Sequence, residues 1–305
     1  MNDSVHIKYL LSNEQDLSWG LIINTVGHQL IKPNEPYPST NHPMRYSFSI
    51  EKGRILNEYQ LVYISEGKGS FVSSSKKITE IKQGNLFLLF PGEWHNYRPE
   101  KSVGWYEYWI GFEGINMDNR IKSGFFNKKE PVFNIGINDE IIHLYKLAVM
   151  VAQNQSVGFQ QMLAGIVNLI LGYVYSENKL LTLEDLKVTN QINMAKVLIA
   201  DNYYAGIRPE EIAQRVNMSY SWFRRIFKEY TGFAPSQYIQ ELKVQKSKEL
   251  LTNTTMTSQE IAFEAGFETP YYFCLVFKKK TGYTPMEYRE LTQGNKIVVK
   301  KIHDL

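Results

Sequence analysis

The sequence predicts an α+β protein of two domains, with a β-barrel and a helical hairpin in residues 1–177 and an all-helical domain in residues 193–292. Three observations favour this fold class. Short strand patterns separated by turn residues fill much of the first part, two apolar stripes at helical spacing follow, and a helix–turn–helix pattern occurs twice near the C-terminus. A chain of 305 residues is long enough to bury a hydrophobic core in each domain.

The barrel is predicted from short strand-like segments that follow a proline-rich, extended stretch at 33–43. Gly67-Lys68-Gly69 is typical of a hairpin turn, and Lys82–Asn85 and Pro91-Gly92 indicate two further turns. Several short strands at close spacing favour a small barrel or sandwich. The predicted strands are Tyr46–Ile50, Tyr59–Ser65, Ser70–Ser74, Ile78–Ile81, Leu86–Phe90 and Trp105–Phe112.

Helical spacing begins near residue 139. Apolar residues three and four positions apart predict an αα-hairpin over 139–176, with a break between its helices at Asn154–Gly158. The second helix is apolar over a wide arc, so we expect it to pack on the barrel and on a further surface. The polar stretch that follows predicts an irregular linker at 178–192.

A helix–turn–helix pattern is predicted at about 208–231. Pro209 suits the first position of a helix, and Asn217-Met218-Ser219 interrupts the pattern, with Ser219 as the expected N-cap of a second helix. A second helix with a polar, basic outer face fits a DNA major groove, although the same pattern also describes an ordinary surface helix pair. The outer residues are Tyr220, Ser221, Arg224, Arg225 and Lys228.

The pattern occurs again at about 257–281, which is 49 to 50 residues later. Glu260-Ile261-Ala262 repeats Glu211-Ile212-Ala213, and a helical run at Pro235–Leu251 joins the copies. Two copies are too few for a solenoid, so they predict a tandem pair.

Residues 194–291 resemble the DNA-binding domain of the AraC/XylS family of bacterial transcription regulators. The second copy carries the resemblance, in Ile261-Ala262-x-x-x-Gly266-Phe267, Phe273 and Phe277-Lys278-x-x-x-Gly282-x-x-Pro285-x-x-Tyr288-Arg289. The resemblance implies a sequence-specific DNA-binding transcription regulator, acting as a homodimer under the control of a small-molecule effector. Double-stranded DNA and, for an activator, RNA polymerase are the macromolecular partners that it implies.

The resemblance also indicates which side chains face DNA. In the second copy the base-reading positions fall on Pro270, Tyr271, Cys274 and Leu275, and Leu275 departs from the arginine that the family often has there. We therefore expect the second copy to read less sequence and to contact mainly the DNA backbone through Lys278–Lys280. The predicted DNA-binding residues are Ser219, Tyr220, Ser221, Arg224, Arg225, Lys228, Pro270, Tyr271, Cys274 and Lys278.

Residues 61–114 resemble the cupin-type effector-binding domain that precedes this DNA-binding domain in the family. The matching motifs are Gly67-x-Gly69, Gly84-Asn85-Leu86-x-Leu88, Phe90-Pro91-Gly92-x-x-His95-x-Tyr97 and Trp105-Tyr106-x-x-Trp109-x-x-Phe112. They imply a pocket for an effector such as a sugar. The predicted ligand-binding residues are Arg54, His95, Tyr97, Glu107 and Trp109.

Three of these residues have alternative interpretations. Tyr97 and Trp109 match positions at which a sugar-responsive member of the family holds its sugar, but both could be core aromatics instead. Glu107 places a carboxylate where that member has a different polar group, so a different ligand is expected; the alternative is that Glu107 is a solvated strand residue. In the family the helices at 139–176 pair subunits, and the alternative is that they only cover the barrel.

Composition limits the other functional classes. Residues 190–305 contain 16 Lys+Arg against 12 Asp+Glu, and the remainder 18 against 19, so the basic excess lies with the helix–turn–helix copies. Cys274 is the only cysteine, which excludes an intrachain disulfide framework. No signal peptide or long apolar stretch is present, so we expect a cytoplasmic protein without membrane contact.

A metal-dependent cupin enzyme fused to a DNA-binding module is the main alternative. His95 is the single candidate ligand in its turn, because Tyr97 stands where a His-x-His pair would be needed, and the other histidines do not fall at ligand spacing. We therefore predict no metal, no cofactor and no catalytic residues. A regulator whose barrel only dimerises is a further alternative.

Overall fold

The computed structural model describes residues 6–38, 52–75, 77–182 and 186–293, and the chain forms two compact units, Met1–Glu184 and Asp185–Leu305. The predicted strand Tyr46–Ile50 lies outside the described residues. The first unit is built on a sheet, and the second unit is entirely helical over its described residues. This two-unit α+β architecture confirms the predicted fold class.

Nine antiparallel strands form the sheet in the described part of the first unit. Their order is β1-β2-β8-β4-β6-β9, while β5 and β7 pair with β4, and β3 pairs with β7. The strands are β1 His6–Tyr9, β2 Ile22–Ile31, β3 Arg54–Ile55, β4 Tyr59–Ser73, β5 Ile78–Lys82, β6 Asn85–Leu89, β7 Trp94–Pro99, β8 Trp105–Glu113 and β9 Val132–Asn134.

The hairpin turn predicted at Gly67–Gly69 is wrong, because β4 runs through this segment as one continuous strand. Its first half pairs with β6 and β8, and its second half pairs with β5 and β7. The glycines permit this change of partners. Gly67 has a φ of +84°, and a Cβ on Gly69 would lie 2.2 Å from the carbonyl oxygen of Arg98.

The sheet is open, which corrects the prediction of a barrel. Among the described residues β1, β3, β5 and β9 each pair with one strand only, so the ladders do not close into a ring. The sheet is nevertheless buried on both faces. Leu61 and Tyr63 of β4 belong to the core shared with the helices, whereas Val62 and Ile64 belong to a second core on the opposite face.

Four helices are present in the described residues of the first unit: α1 Glu14–Ser18, α2 Ile115–Lys122, α3 Asp139–Asn154 and α4 Phe159–Thr182. The predicted αα-hairpin is thereby confirmed. Asn138 caps α3 by accepting a hydrogen bond from the Ile141 amide, and Gln155 ends it in a left-handed conformation. Buried Gln160 of α4 bonds to both the amide and the carbonyl of Ile23 in β2, which fastens the hairpin to the sheet.

The second unit contains seven α-helices in its described residues, with a 3₁₀ turn at Tyr203–Ala205. The helices are α5 Leu186–Asn202, α6 Pro209–Arg215, α7 Tyr220–Thr231, α8 Pro235–Asn253, α9 Ser258–Glu264, α10 Pro270–Thr281 and α11 Pro285–Thr292.

The boundary between the two units falls within the linker predicted at 178–192, but the irregular conformation predicted for it is wrong, because α4 continues to Thr182 and α5 begins at Leu186. Val188 and Ile192 begin an apolar stripe of α5 that continues through Ala195 and Ile199 and is buried in the core of the second unit. The polar residues between these positions hid the stripe from the sequence analysis.

Each helix–turn–helix pair has its own core. Phe223 and Phe227 of α7 lie 5.2 Å apart between ring centroids in the first core, and Phe273 and Phe277 of α10 lie 5.5 Å apart in the second. Helix α8 contributes to both cores, through Ile239 to the first and through Val244 and Leu251 to the second. The two copies of the sequence pattern therefore form two similar helix pairs, each with a buried pair of phenylalanines.

Candidate DNA-binding surface and ligand cavity

Helix α7 separates apolar from polar side chains. Phe223, Ile226 and Phe227 are buried, while the opposite face is exposed. All six residues predicted as DNA contacts on this copy are exposed: Ser219, Tyr220, Ser221, Arg224, Arg225 and Lys228. Cations and hydroxyl groups therefore occupy the outer side of the helix, where DNA phosphates and base edges would be reached.

The turn before α7 is held by a neighbouring helix. Asn217 has a φ of +55°, as expected for Asn in a left-handed position. Gln191 of α5 donates from Nε2 to the Val216 carbonyl at 2.6 Å and to the Asn217 carbonyl at 3.4 Å. Ser219 occupies the N-cap position, but its side chain forms no capping hydrogen bond, which corrects the predicted cap.

Helix α10 has the same buried side and a different outer side. Phe273, Val276 and Phe277 are buried, and the Thr269 hydroxyl caps the helix by accepting from the Tyr272 amide at 3.1 Å. The exposed fractions of Tyr271 and Leu275 are 75% and 53%.

The other residues predicted to contact DNA in this copy differ in exposure. Lys278 is exposed, whereas Pro270 is half-buried and Cys274 is half-buried against the second core. Lys280 is exposed and forms an ion pair with Glu241 of α8, so part of its charge is compensated, whereas the contact of Lys278–Lys280 with DNA stays a prediction.

The turn between α9 and α10 packs on the 3₁₀ turn at Tyr203–Ala205, which precedes the first helix pair. Gly266 has a φ of +79°, and a Cβ at this position would lie 2.4 Å from Tyr204 Cα and 2.6 Å from the Tyr204 carbonyl oxygen. The Gly266 carbonyl also accepts a hydrogen bond from Lys243 of α8. The backbone of the second turn therefore touches the backbone of the 3₁₀ turn that precedes the first copy, and only glycine fits at the contact.

A cavity opens on the inner face of the bent sheet in the first unit. The space inside it that a water molecule can enter is about 20 Å³, which is room for about one water molecule. It is lined by Tyr9, Thr25, Gln29, Tyr37, Pro38, Arg54, Gln60, Tyr97, Glu107 and Trp109. Four of the five predicted ligand-binding residues are therefore brought together, while His95 is not among the lining residues.

Glu107 is the buried acid of this cavity. Gln29, its direct neighbour in the β2–β8 ladder, donates a hydrogen bond to Oε1, and the Tyr37 hydroxyl donates at 3.4 Å to each carboxylate oxygen. Burial raises the pKa of Glu107 to about 7, against the opposing effects of the Gln29 hydrogen bond and the charge of Arg54. The carboxyl group can therefore gain or lose a proton near neutral pH.

Arg54 connects the cavity to His95. Its Nη2 donates to the Tyr97 hydroxyl at 2.6 Å, and its Nε donates to His95 Nε2 at 3.2 Å. Because Nε2 accepts this bond, we assign the proton of the neutral ring to Nδ1, which lies 3.1 Å from the Glu93 carbonyl oxygen. Burial, reinforced by the charge of Arg54, lowers the pKa of His95 to about 3. His95 is thus a neutral residue that positions Arg54.

Sequence reasoning missed the polar residues that β2 and β4 contribute to the cavity. Thr25, Gln29 and Gln60 are all at least 98% buried, and a buried polar group on a strand is the signal that would have pointed to a site. The Thr25 hydroxyl oxygen is buried and makes no hydrogen bond with any described residue. A ligand with hydroxyl groups would satisfy it.

The described residues were also compared with the requirements of a metal site and of a membrane-spanning helix. Within residues 6–38, 52–75, 77–182 and 186–293, no group of three or more His, Cys, Asp and Glu side chains is placed to hold a metal ion. None of the helices in these ranges has the length and apolar character needed to span a membrane.

Comparison with known proteins agrees with both parts of the chain. Residues 36–177 match the family described as the AraC-like ligand binding domain, and residues 212–291 match a helix-turn-helix domain. An uncharacterised helix-turn-helix transcriptional regulator encoded in the cgkA 5′ region of Pseudoalteromonas carrageenovora is 33% identical over 115 residues, which cover 37% of this chain and 68% of the relative. The chain belongs to the AraC family of transcription regulators.

Longer alignments connect this AraC-family protein to regulators of sugar operons. It is 25% identical over 248 residues to the raffinose operon transcriptional regulatory protein of Pediococcus pentosaceus, covering 80% of this chain and 89% of the relative. It is 25% identical over 251 residues to the lactose operon transcription activator of Staphylococcus xylosus, covering 80% and 86%. The protein is a DNA-binding transcription regulator with a ligand-binding domain.

Proposed function

We propose that the effector of this regulator is a small saccharide, and that the cavity formed by β2, β4, β7 and β8 widens to bind it. The observation that carries the proposal is the unsatisfied Thr25 hydroxyl beside a buried carboxylate and two buried amides. Glu107 can accept hydrogen bonds from sugar hydroxyls, and Gln29 and Gln60 can both donate and accept. The faces of Tyr97 and Trp109 suit the C–H groups of a sugar ring.

The relatives support the same class of ligand. The raffinose and lactose operon regulators are named for sugars, and both align with most of this chain. The regulatory role and the neutral, internally bonded His95 support a protein that senses its ligand rather than converting it. We propose that it acts on DNA in the cytoplasm.

A thermal-shift screen of the full chain against mono- and oligosaccharides tests the proposal, because a ligand that binds only the folded state raises its melting temperature. We expect a subset of sugars to stabilise the wild-type protein. Thr25→Val removes one hydroxyl and keeps the side-chain shape, so the stabilisation should decrease. Thr79→Val, on β5 and outside the cavity, is the matched control and should respond like wild type.

Two outcomes of this screen would contradict the proposal. If no sugar changes the melting temperature or the affinity for DNA, the sheet domain has another role, such as dimerisation alone. If sugars stabilise both variants as well as they do wild type, a saccharide binds elsewhere and the cavity is not the site.

We also propose that the αα-hairpin pairs two subunits. Met150 of α3 and Met162 and Leu169 of α4 are each more than half exposed. Met162 and Leu169 are seven residues apart, so they lie on one side of α4 and give it an exposed apolar stripe. The variant carrying Met162→Glu and Leu169→Glu should sediment as a monomer at concentrations where wild type is a dimer. A monomeric wild-type protein, in the presence and absence of operator DNA, would contradict the proposal.

A further inference from the structure

The two recognition helices differ most at the positions that would face bases. With an offset of 50 residues, Leu275 of α10 corresponds to Arg225 of α7, and Tyr271 corresponds to Ser221. All four residues are exposed. Where the first copy presents a cation and a hydroxyl, the second copy presents two large and largely apolar side chains.

The correspondence is structural as well as sequential. In both copies a buried phenylalanine pair anchors the recognition helix, and a tyrosine packs edge-on against the second phenylalanine at 5.3 Å, Tyr238 on Phe227 and Tyr288 on Phe277. Both helices end at a glycine with a positive φ, Gly232 and Gly282. Leu275 therefore occupies, in its own helix pair, the place that Arg225 occupies in the other.

The chemistry of Leu275 and Tyr271 limits what they can recognise. The two residues are four positions apart, so they are neighbours on one face of the helix. Against a G·C pair, Leu275 would cover the guanine acceptors or the cytosine amine without replacing their hydrogen bonds, which is costly. The 5-methyl group of thymine is the apolar group on the major-groove edges of the base pairs, and it is the match for a leucine side chain.

Charge on the same helix favours DNA over a protein surface as the occupant of this face. Lys278 and Lys279 follow Leu275 within one turn and are exposed, so they can contact phosphates while the apolar residues face the bases. We propose that α10 reads thymine 5-methyl groups through Leu275 and Tyr271, so that the DNA segment under the second copy is selected for A·T pairs. This proposal rests on the DNA-binding function and specifies what one half of the operator contains.

Replacement of thymine by deoxyuridine tests the proposal directly, because it removes the 5-methyl group and keeps base pairing and every hydrogen-bonding group. A duplex is first selected from a random-sequence pool with the full-length wild-type protein. Each thymine is then replaced singly, and the dissociation constant is measured by fluorescence anisotropy. We expect one or two replacements in one half-site to weaken binding about fourfold each, which corresponds to the burial of one methyl-sized group.

Variants assign the effect to α10. With Leu275→Ala the deoxyuridine effect should disappear at one position, whereas with Arg225→Ala it should remain. Tyr271→Phe keeps the ring and removes the hydroxyl, so it should behave like wild type. Leu275→Arg restores the residue type of the first copy, and selection with this variant should replace the A·T preference at that position by a preference for G·C.

Three results would overturn the proposal. If deoxyuridine is tolerated at every thymine of a duplex that wild type binds specifically, DNA binding is intact and methyl reading is refuted. If Tyr271→Phe loses affinity while wild type binds the deoxyuridine duplexes without loss, the hydroxyl donates a hydrogen bond and methyl reading is again refuted. If Leu275→Ala binds DNA like wild type but changes transcription in a reconstituted assay, the face contacts a protein. A wild-type protein that selects no duplex would refute the DNA-binding function itself.

Discussion

The contact between Gly266 and Tyr204 predicts how firmly the second helix–turn–helix copy is held against the 3₁₀ turn that precedes the first copy. In Gly266→Ala the new methyl group would lie 2.4 Å from Tyr204 Cα, against the 3.4 Å or more of an ordinary van der Waals contact. Both sides of the contact are backbone, so no side-chain rotation can relieve the overlap. The second turn must move away from the 3₁₀ turn at Tyr203–Ala205, or α10 must tilt.

Gly282→Ala is a matched control. Gly282 has a φ of +81°, close to the +79° of Gly266, but a Cβ there meets nothing within 4 Å. The left-handed conformation costs a residue with a Cβ roughly 1–2 kcal/mol, and the stiffer unfolded chain returns about 0.4–1 kcal/mol. We therefore expect Gly282→Ala to lower the free energy of unfolding by about 1 kcal/mol.

Gly266→Ala has the same backbone cost and an overpacking cost of about 1–3 kcal/mol in addition. The expected loss is about 2–4 kcal/mol, measured by urea denaturation of the full chain followed by circular dichroism. At temperatures where both variants are folded, Gly266→Ala should also bind a two-half-site duplex more weakly than Gly282→Ala does. Equal losses of stability and affinity in the two variants would show that the contact between Gly266 and Tyr204 does not hold the second copy in its position.

Three further predictions follow from the site geometry. Burial raises the pKa of Glu107 from 4.5 to about 7. The folded protein therefore holds this proton more tightly than the unfolded chain does, and the resulting stabilisation is complete below about pH 4.5. As the pH rises through 7, the free energy of unfolding should fall by up to roughly 3 kcal/mol. Glu107→Gln should remove this loss, and thermal unfolding between about pH 5 and 8 checks it; an unchanged pH profile would contradict the buried acid. Arg225→Ala should cost about 1–3 kcal/mol of binding and relax the preference at one base pair, as measured in gel-shift series; unchanged affinity and specificity would count against base reading. Lys278→Ala should lower the slope of log K against log salt by about one, and an unaltered slope would exclude a phosphate contact.

The helical unit was largely predictable because its signals are local. The turn at Asn217, the paired phenylalanines and the C-terminal glycines all lie within about 15 residues of each other in each copy, so one recognisable pattern covers them. The linker was mispredicted for the opposite reason. The stripe that begins at Val188 and Ile192 is separated by polar residues, and its burial depends on α6 and α7, which follow later in the chain.

The cavity could be predicted only in part because its residues come from distant segments. Glu107 and Trp109 lie in a recognisable motif, but Gln29 reaches Glu107 across 78 residues of sequence and Thr25 lies in the same overlooked strand. Buried polar residues interrupt the apolar pattern of β2. The residues of β2 that line the cavity are therefore also those that concealed the strand in the sequence.

The buried and outer sides of the recognition helices are under different physical constraints. Phe273 and Phe277 repeat the phenylalanines of α7 and are fully buried, so their burial stabilises the fold. Leu275 is 53% exposed and Tyr271 is 75% exposed, so folding removes only part of their apolar surface from water. Burial on folding therefore explains the apolar side chains at the core positions better than it explains Leu275 and Tyr271. Contact with another molecule is the better explanation for these two residues, and the neighbouring lysines favour a polyanion as that molecule.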